Sequence, residues 1–282
     1  MQTFHLNTIG THLEIRIPSE KDASFAFSQI EKYLGEFEEK YSRFRENNWL
    51  AQLNKDRTCI LDSDGKKMLQ AMLEVAHATD GYFDPTIWKR LAELWYGKNN
   101  GSVWKKDENY LKIVLSENVI ELQWDIELEF GGIGKGYLLG ILYDQLILAG
   151  YDEFLINFWW DLSARGEWKI WLENPFNLDE IIGVKILSDG CLACSAGTKR
   201  KWWNHHHLIN PQTGESGNEV IASYIEWMNG ARCDMYATTL CVMPWELAQK
   251  TLKETEWIQW VIVRHDGTLY QTEKSQIELF RE

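Results

Sequence analysis

Residues 129–137 read EFGGIGKGY, a composition that packing alone does not select. Four glycines surround one lysine, Lys135, within nine residues. An apolar run (Val119, Ile120, Leu122, Ile126, Leu128) precedes the stretch and reads as a strand, and residues 137–149 follow at helical spacing. Glycine costs backbone entropy, so a cluster marks either positive φ or a place where something approaches the backbone closely. A helix N-terminus with free N–H groups and a nearby cation suits a phosphate or a phosphate-bound metal.

Working outward from that turn, Leu13, Ile15 and Ile17 alternate with polar residues and end at Pro18, as a strand does. Apolar residues in 21–37 recur at helical spacing, and Met68, Met72, Leu73 and Ala76 mark a second helix that Gly81 would close. A short apolar strand is expected at 154–158, with further strands around 169–172, 184–187, 220–226 and 260–264. Two helical stretches, 232–242 and 245–253, lie between the last two strands. This mixed order predicts an α+β fold rather than a doubly wound parallel sheet. No repeat or linker divides residues 1–282, so one domain is expected.

The formal net charge is −13, with no basic tract, which argues against nucleic acid or an acidic membrane as partner. A phosphate ligand would therefore need local cations or a divalent metal. No apolar stretch reaches the length of a membrane span, and neither a signal peptide nor a lipid-attachment cysteine is seen. The chain as written is expected to be cytoplasmic, and an extracytoplasmic form with a trimmed start stays open. Five cysteines, an odd and sparse set, fit reduced thiols better than a disulfide framework. Cys191 and Cys194 have CxxC spacing, but no second pair exists and a structural zinc is set aside.

Five further segments carry polar groups that a core would not select. Tyr41, Ser42, Arg43, Phe44 and Arg45 close the first long helix. The turn TDGYFDPT at 79–86 brings together two carboxylates and the rings of Tyr82 and Phe83. Residues 157–161 end an apolar strand, where open sheets place ligand groups. HLINPQTG at 207–214 reads as a strand leaving His207 and entering a Pro/Gly turn. Asp234 and Thr238 stand four apart in a helical stretch, so their oxygens share one face, and this hard-oxygen pair suits Mg²⁺ better than zinc.

In order along the chain, these segments resemble the ApbE family of flavin transferases. EFGGIGKGY is similar to that family's DLGGIAKGY, and Ile9-Gly10-Thr11, Ser42-Arg43-Phe44, TDGYFDPT, HLINPQTG and Asp234-x-x-x-Thr238 follow its motif series. The resemblance implies an ApbE-like, T-fold-related fold of mixed, largely antiparallel sheet with flanking helices. It implies FAD as substrate, Mg²⁺ on the pyrophosphate, FMN transfer to a threonine of an acceptor protein, and release of AMP. The acceptors it suggests are flavin-carrying subunits of ion-pumping redox complexes or a flavin-dependent reductase. It places the metal on Asp234, Thr238 and the Gly132 carbonyl. Ile9, Ser42, Arg43, Tyr82, Phe83, Asp84, Glu129, Lys135, Asp161 and His207 would bind the nucleotide, with Glu129 replacing the more usual aspartate. Asp234, His207 and Lys135 are the candidate catalytic residues, and the general base is left open between His207, Asp234 and another carboxylate. Two alternatives stand beside transfer: an FAD pyrophosphatase with water as acceptor, and an inactive relative blocked by Trp159 and Trp160.

That last alternative arises because the chain holds 15 tryptophans. Asn157-Phe158-Trp159-Trp160-Asp161 stands where the family reads N-A-G-G-D. Trp88 and Trp171 also fall on expected glycines, and Trp203 is a further candidate, whereas Trp168 suits the pattern. The indoles either block the site, or stack on a flavin or adenine ring, or are UGA codons that the source reads as glycine. The third reading is preferred, because one residue type concentrates on expected glycines where random decay would scatter.

Overall fold

The structure is a computed structural model that describes residues 1–95, 109–123, 125–198, 200–203 and 205–280. The chain opens with the hairpin β1 (Gln2–Thr8) and β2 (Thr11–Ile17), followed by helices α1 (Ser24–Tyr41) and α2 (Trp49–Asp56). β3 (Thr58–Ile60), α3 (Ser63–Ala78), α4 (Trp88–Trp95), β4 (Ile113–Ser116) and β5 (Val119–Leu122) come next. α5 (Gly134–Leu148) leads into β6 (Phe154–Phe158) and the long pair β7 (Asp161–Asn174) and β8 (Asn177–Ala196). The chain ends with β9 (Lys201–Trp202), β10 (His205–His206), β11 (Val220–Trp227), α6 (Gly230–Val242), α7 (Trp245–Glu254), β12 (Gln259–Arg264), β13 (Leu269–Gln271) and β14 (Glu278–Leu279).

Among the described residues the main sheet has nine strands in the order β1-β2-β6-β7-β8-β11-β12-β13, with β14 on β8. Every pairing in it is antiparallel. Alternation along the strands divides the core into two layers. Phe154, Ile156 and Phe158 of β6 face the helices, while Leu155 joins Leu162, Leu172 and Val261 on the opposite face. The helix-side layer is the larger, since α1, α3, α5 and α6 bring Leu34, Met72, Leu142 and Leu240 onto it. α5 is rich in apolar residues and buries Leu138, Leu139, Leu142 and Leu146, while Gly140, Asp144 and Leu148 stay exposed. These features are the expected α+β architecture.

Two expectations change in detail. The run from Val119 to Leu128 is not one strand: β5 stops at Leu122. Leu128 instead bonds a side chain, its N–H donating to Asn54 Oδ1 at 2.8 Å and its carbonyl accepting from Asn54 Nδ2 at 3.0 Å. Arg57 Nη1 likewise donates to the Ile126 carbonyl at 2.5 Å. Side chains of α2 and its C-cap thus take the place of a neighbouring strand, which spacing alone does not reveal. The second change concerns His207, which follows the two-residue strand β10 rather than opening one. Beyond it, Ile209 makes a single bridge to Ser216.

The glycine turn is glycine-rich for close approach, since none of its four glycines has positive φ. A β-carbon on Gly136 would strike the Gly230 carbonyl, and one on Gly230 would lie 2.7 Å from the Gly136 carbonyl. α5 and α6 therefore touch backbone to backbone at their first turns. Gly136→Ala should wedge them apart and cost about 1–3 kcal/mol, read as a lower melting temperature.

Candidate active site

The close contact of α5 with α6 determines what Lys135 faces. Asp234, one turn into α6, accepts from the Gly136 N–H at 3.1 Å through Oδ2, and its Oδ1 lies 3.5 Å from Lys135 Nζ. Lys135 also pairs with Asp161, whose Oδ1 accepts from the Cys194 N–H at 3.2 Å. Asp161 and Asp234 are both buried, so one ammonium holds two carboxylates below a cleft. Burial pushes the Asp234 carboxyl up from its ordinary range, and the Lys135 charge opposes that rise.

Above them the cleft encloses about 1200 Å³ including its open mouth. Its walls come from the turn at 82–84, the glycine turn, β8 at Cys194, Ser195 and Ala196, the segment 207–211, and α6 at Asp234 and Thr238. Thr238 follows Asp234 by one helical turn, and its Oγ1 lies 3.2 Å from Ser195 Oγ. A second cavity of about 1100 Å³ adjoins the first, lined by Ile9, Phe37, Tyr41, Ser42, Phe44 and Phe130 among others. Arg43, Gly131, Lys135 and Arg200 line both.

Arg43 is placed by Glu129, to which its Nη1 donates at 2.6 Å. The Gly131 N–H donates to the same carboxylate oxygen at 2.6 Å. A β-carbon on Gly131 would collide with the Arg43 guanidinium, so this glycine lets the arginine lie against the turn. The guanidinium also lies 4.4 Å from the Trp88 ring centre, a cation–π contact. Trp88 opens α4 and Trp171 lies on β7, and neither has positive φ.

Ile9 does have positive φ, +47°, in the β1–β2 turn, where its N–H and the Thr8 hydroxyl both donate to Glu38 Oε2. Ser42 is the C-cap of α1, and its hydroxyl accepts from the Phe44 N–H at 3.3 Å. Asp84 is buried and accepts from the Thr86 N–H and hydroxyl at 2.8 and 2.7 Å. Desolvation, with a smaller push from Glu129, raises its carboxyl to about 6. A β-carbon on Gly132 would press on Phe83 at 3.1 Å, so the bare backbone of Gly132 faces the cleft. All the residues expected to bind nucleotide line one cavity or the other, except Asp161, which is reached through Lys135.

His207 is held neutral. Burial, and then the charges of Arg200, His206, Lys135 and Arg43, bring its imidazole down to about 3, and its Nδ1 has no hydrogen-bond partner. Its neighbour His206 is structural, with Nε2 2.7 Å from the Gly217 carbonyl. A histidine whose folded value lies below the unfolded one binds its proton more readily when unfolded. Its contribution to stability is therefore present above about pH 6.5 and is lost as pH falls toward 3. His207→Gln should flatten the loss of stability between pH 6.5 and 4, measured by urea unfolding at each pH.

Sequence reasoning missed two parts of this site. Arg200 lines both cavities, and its guanidinium is pulled down from its usual value by burial and by Arg43. It sits among charged and aromatic residues with no motif around it. The wall at 194–196 presents small side chains and backbone from the last residues of a long strand, which carry no chemical signature. Among the described residues no group of three or more His, Cys, Asp and Glu could hold a metal. Asp234, Thr238 and the Gly132 carbonyl are a different kind of set, oxygen only, and all three residues line the same cleft. The Lys135 ammonium already lies beside Asp234, so the carboxylate attracts a cation there.

The main sheet is antiparallel throughout, and a double cleft lined by Arg43, Lys135 and Arg200 lies at the start of two touching helices. The sequence profile of the ApbE family matches residues 9–262, and the chain belongs to that family. The FAD:protein FMN transferase of Klebsiella pneumoniae is 24% identical over 161 residues, 54% of this chain and 51% of that protein. The chain thus spans about half the length of that relative. The FAD:protein FMN transferase of Vibrio cholerae is 22% identical over 97% of this chain and 90% of its own length. The crystal structure of the ApbE protein from Thermotoga maritima superposes with a TM-score of 0.86 at 21% identity, covering 96% of this chain and 97% of that one. Among the described residues no helix is long and apolar enough to cross a membrane.

Proposed function

We propose that this chain transfers FMN from FAD to a threonine of an acceptor protein and releases AMP. The observation that carries the reading is the convergence of Arg43, Lys135 and Arg200 on both halves of a double cleft, in a chain of net charge −13. Cations gathered against that overall charge favour a strongly anionic ligand, and two adjoining chambers suit a dinucleotide whose pyrophosphate lies at their junction.

In the proposed reaction the threonine Oγ attacks the phosphorus on the FMN side of the pyrophosphate. A P–O bond forms to the threonine, the P–O bond to AMP breaks, AMP carries away the electron pair, and the hydroxyl proton passes to a base. Arg43, fixed by Glu129 and stacked on Trp88, would hold a non-reacting phosphate oxygen. Lys135 would exchange part of its pairing with Asp161 and Asp234 for the bound phosphate. Mg²⁺, when bound by Asp234, Thr238 and the Gly132 carbonyl, would neutralise charge on the pyrophosphate and orient it. His207 lines the same cleft, its buried Nδ1 has no hydrogen-bond partner, and it would be the base that accepts the threonine proton. Burial is the largest cause of its low basicity, and of the lesser ones the charges of Arg200, Lys135 and Arg43 are those a pyrophosphate would offset, which would raise its proton affinity with FAD seated.

The reading is tested by incubating the protein with FAD, Mg²⁺ and an extract of acceptor proteins, then separating AMP, free FMN and protein-bound flavin. Transfer gives AMP with flavin on protein. AMP with an equal amount of free FMN points instead to the pyrophosphatase. Arg43→Ala should weaken FAD binding by on the order of tenfold without unfolding the chain, read by flavin fluorescence titration.

A further inference from the structure

Strands β6 and β7 are joined by only two residues. Phe158 pairs with Asp161, so Trp159 and Trp160 are the entire turn, and both have positive φ, +48° and +79°. Positive φ at both central residues is the mark of the type I′ hairpin, which selects Asn-Gly, Asp-Gly or Gly-Gly. In that region a β-carbon crowds the following carbonyl, and tryptophan lacks the short polar side chain that lets asparagine tolerate it. Left-handed backbone recurs after β9, where Trp202 pairs with His205 and Trp203 has φ +49°.

Among the described residues eight non-glycine positions have positive φ, and three of them are tryptophan. At two of the three, packing does little to offset the strain, for Trp203 is 81% exposed and Trp159 52% exposed. Trp168, with ordinary backbone, is fixed instead by its Nε1 bond to the Arg165 carbonyl at 3.0 Å. The turn is otherwise well built, because the Trp160 N–H donates to Asn157 Oδ1 at 3.0 Å, a bond that needs no side chain at 160. The backbone is thus that of a glycine turn, and the indoles are carried on it.

We infer that positions 159, 160 and 203 are glycine in the working protein, and that tryptophan stands there because UGA codons read as glycine by the source were translated as tryptophan. A single mistranslated codon accounts for one residue type at three positions of one backbone class. Trp88 and Trp171 lack that backbone and are not included. Glycine at 159 and 160 also removes two indoles from the wall of the cleft that Lys135 and Asp234 line. That the opened cleft then admits a dinucleotide rests on the flavin-transfer reading, whereas the glycine assignment does not.

Two readouts test the assignment without any flavin. The gene should carry UGA at codons 159, 160 and 203, and UGG at any one of them overturns it. The Trp159→Gly/Trp160→Gly chain should melt above the chain as written, by about 4 °C for two relieved positions. Trp168→Gly, at an ordinary backbone position, should melt lower. A double variant that melts no higher overturns the assignment, and one that folds where the chain as written does not supports it.

Discussion

Replacing Asp234 by asparagine is expected to reduce FMN transfer by on the order of 10³-fold while leaving the fold intact. The carboxylate is buried at the first turn of α6, bonded to the Gly136 N–H and beside Lys135. Asparagine keeps the shape and can keep the Gly136 bond through its oxygen, but it removes the charge. In the proposed reaction that charge holds both the metal and the ammonium, so two supports of the pyrophosphate weaken together. Melting temperature should change little, because the buried carboxyl is already penalised by its desolvation. The check is AMP release from FAD with Mg²⁺ under saturating FAD, alongside thermal unfolding. A variant of full activity would remove Asp234 from the metal set.

The second large effect is a gain. Trp159→Gly with Trp160→Gly should tighten FAD binding by on the order of 10²-fold or more. Both indoles line the cleft, and the space they occupy lies beside Asp234, Lys135 and the wall at 194–196. Removing them frees volume on the ligand's side, since Trp159 is half exposed and neither ring belongs to the buried core. Flavin fluorescence quenching, titrated with FAD for both chains, reads the difference. Equal affinity would show that the rings stack on the ligand rather than exclude it, which aromatic faces can do.

Much of this architecture is legible in the residues themselves, and the remainder is not for physical reasons. Periodicity marks α3 because it buries a full apolar stripe, and Asp234 with Thr238 announces a shared helix face by spacing alone. The glycine turn is visible as a site, and of the two reasons expected for it close approach holds: Gly131 and Gly136 make room for Arg43 and for α6. Both partners are distant in sequence, so no local signal names them. The support of Leu128 by Asn54 is hidden in the same way, being one side chain that replaces a strand. The wall at 194–196 becomes part of the site only when the end of β8 passes beside α6, and Arg200 follows just beyond it.

The tryptophans show how sequence and backbone inform each other. Residue type alone treats Trp88, Trp159, Trp160, Trp171 and Trp203 alike as departures from the family pattern. Backbone conformation separates them, because only 159, 160 and 203 lie in the left-handed region. Trp88, by contrast, supports the Arg43 guanidinium and has a role as tryptophan.

The most direct test is to incubate the chain carrying glycine at 159 and 160 with FAD, Mg²⁺ and an extract of its source cells, and to scan a denaturing gel for covalent flavin fluorescence. A fluorescent band that requires the chain, FAD and Mg²⁺ together, accompanied by AMP, is the predicted result. A folded protein that binds FAD yet yields neither labelled protein nor AMP would contradict flavin transfer as the work of this site.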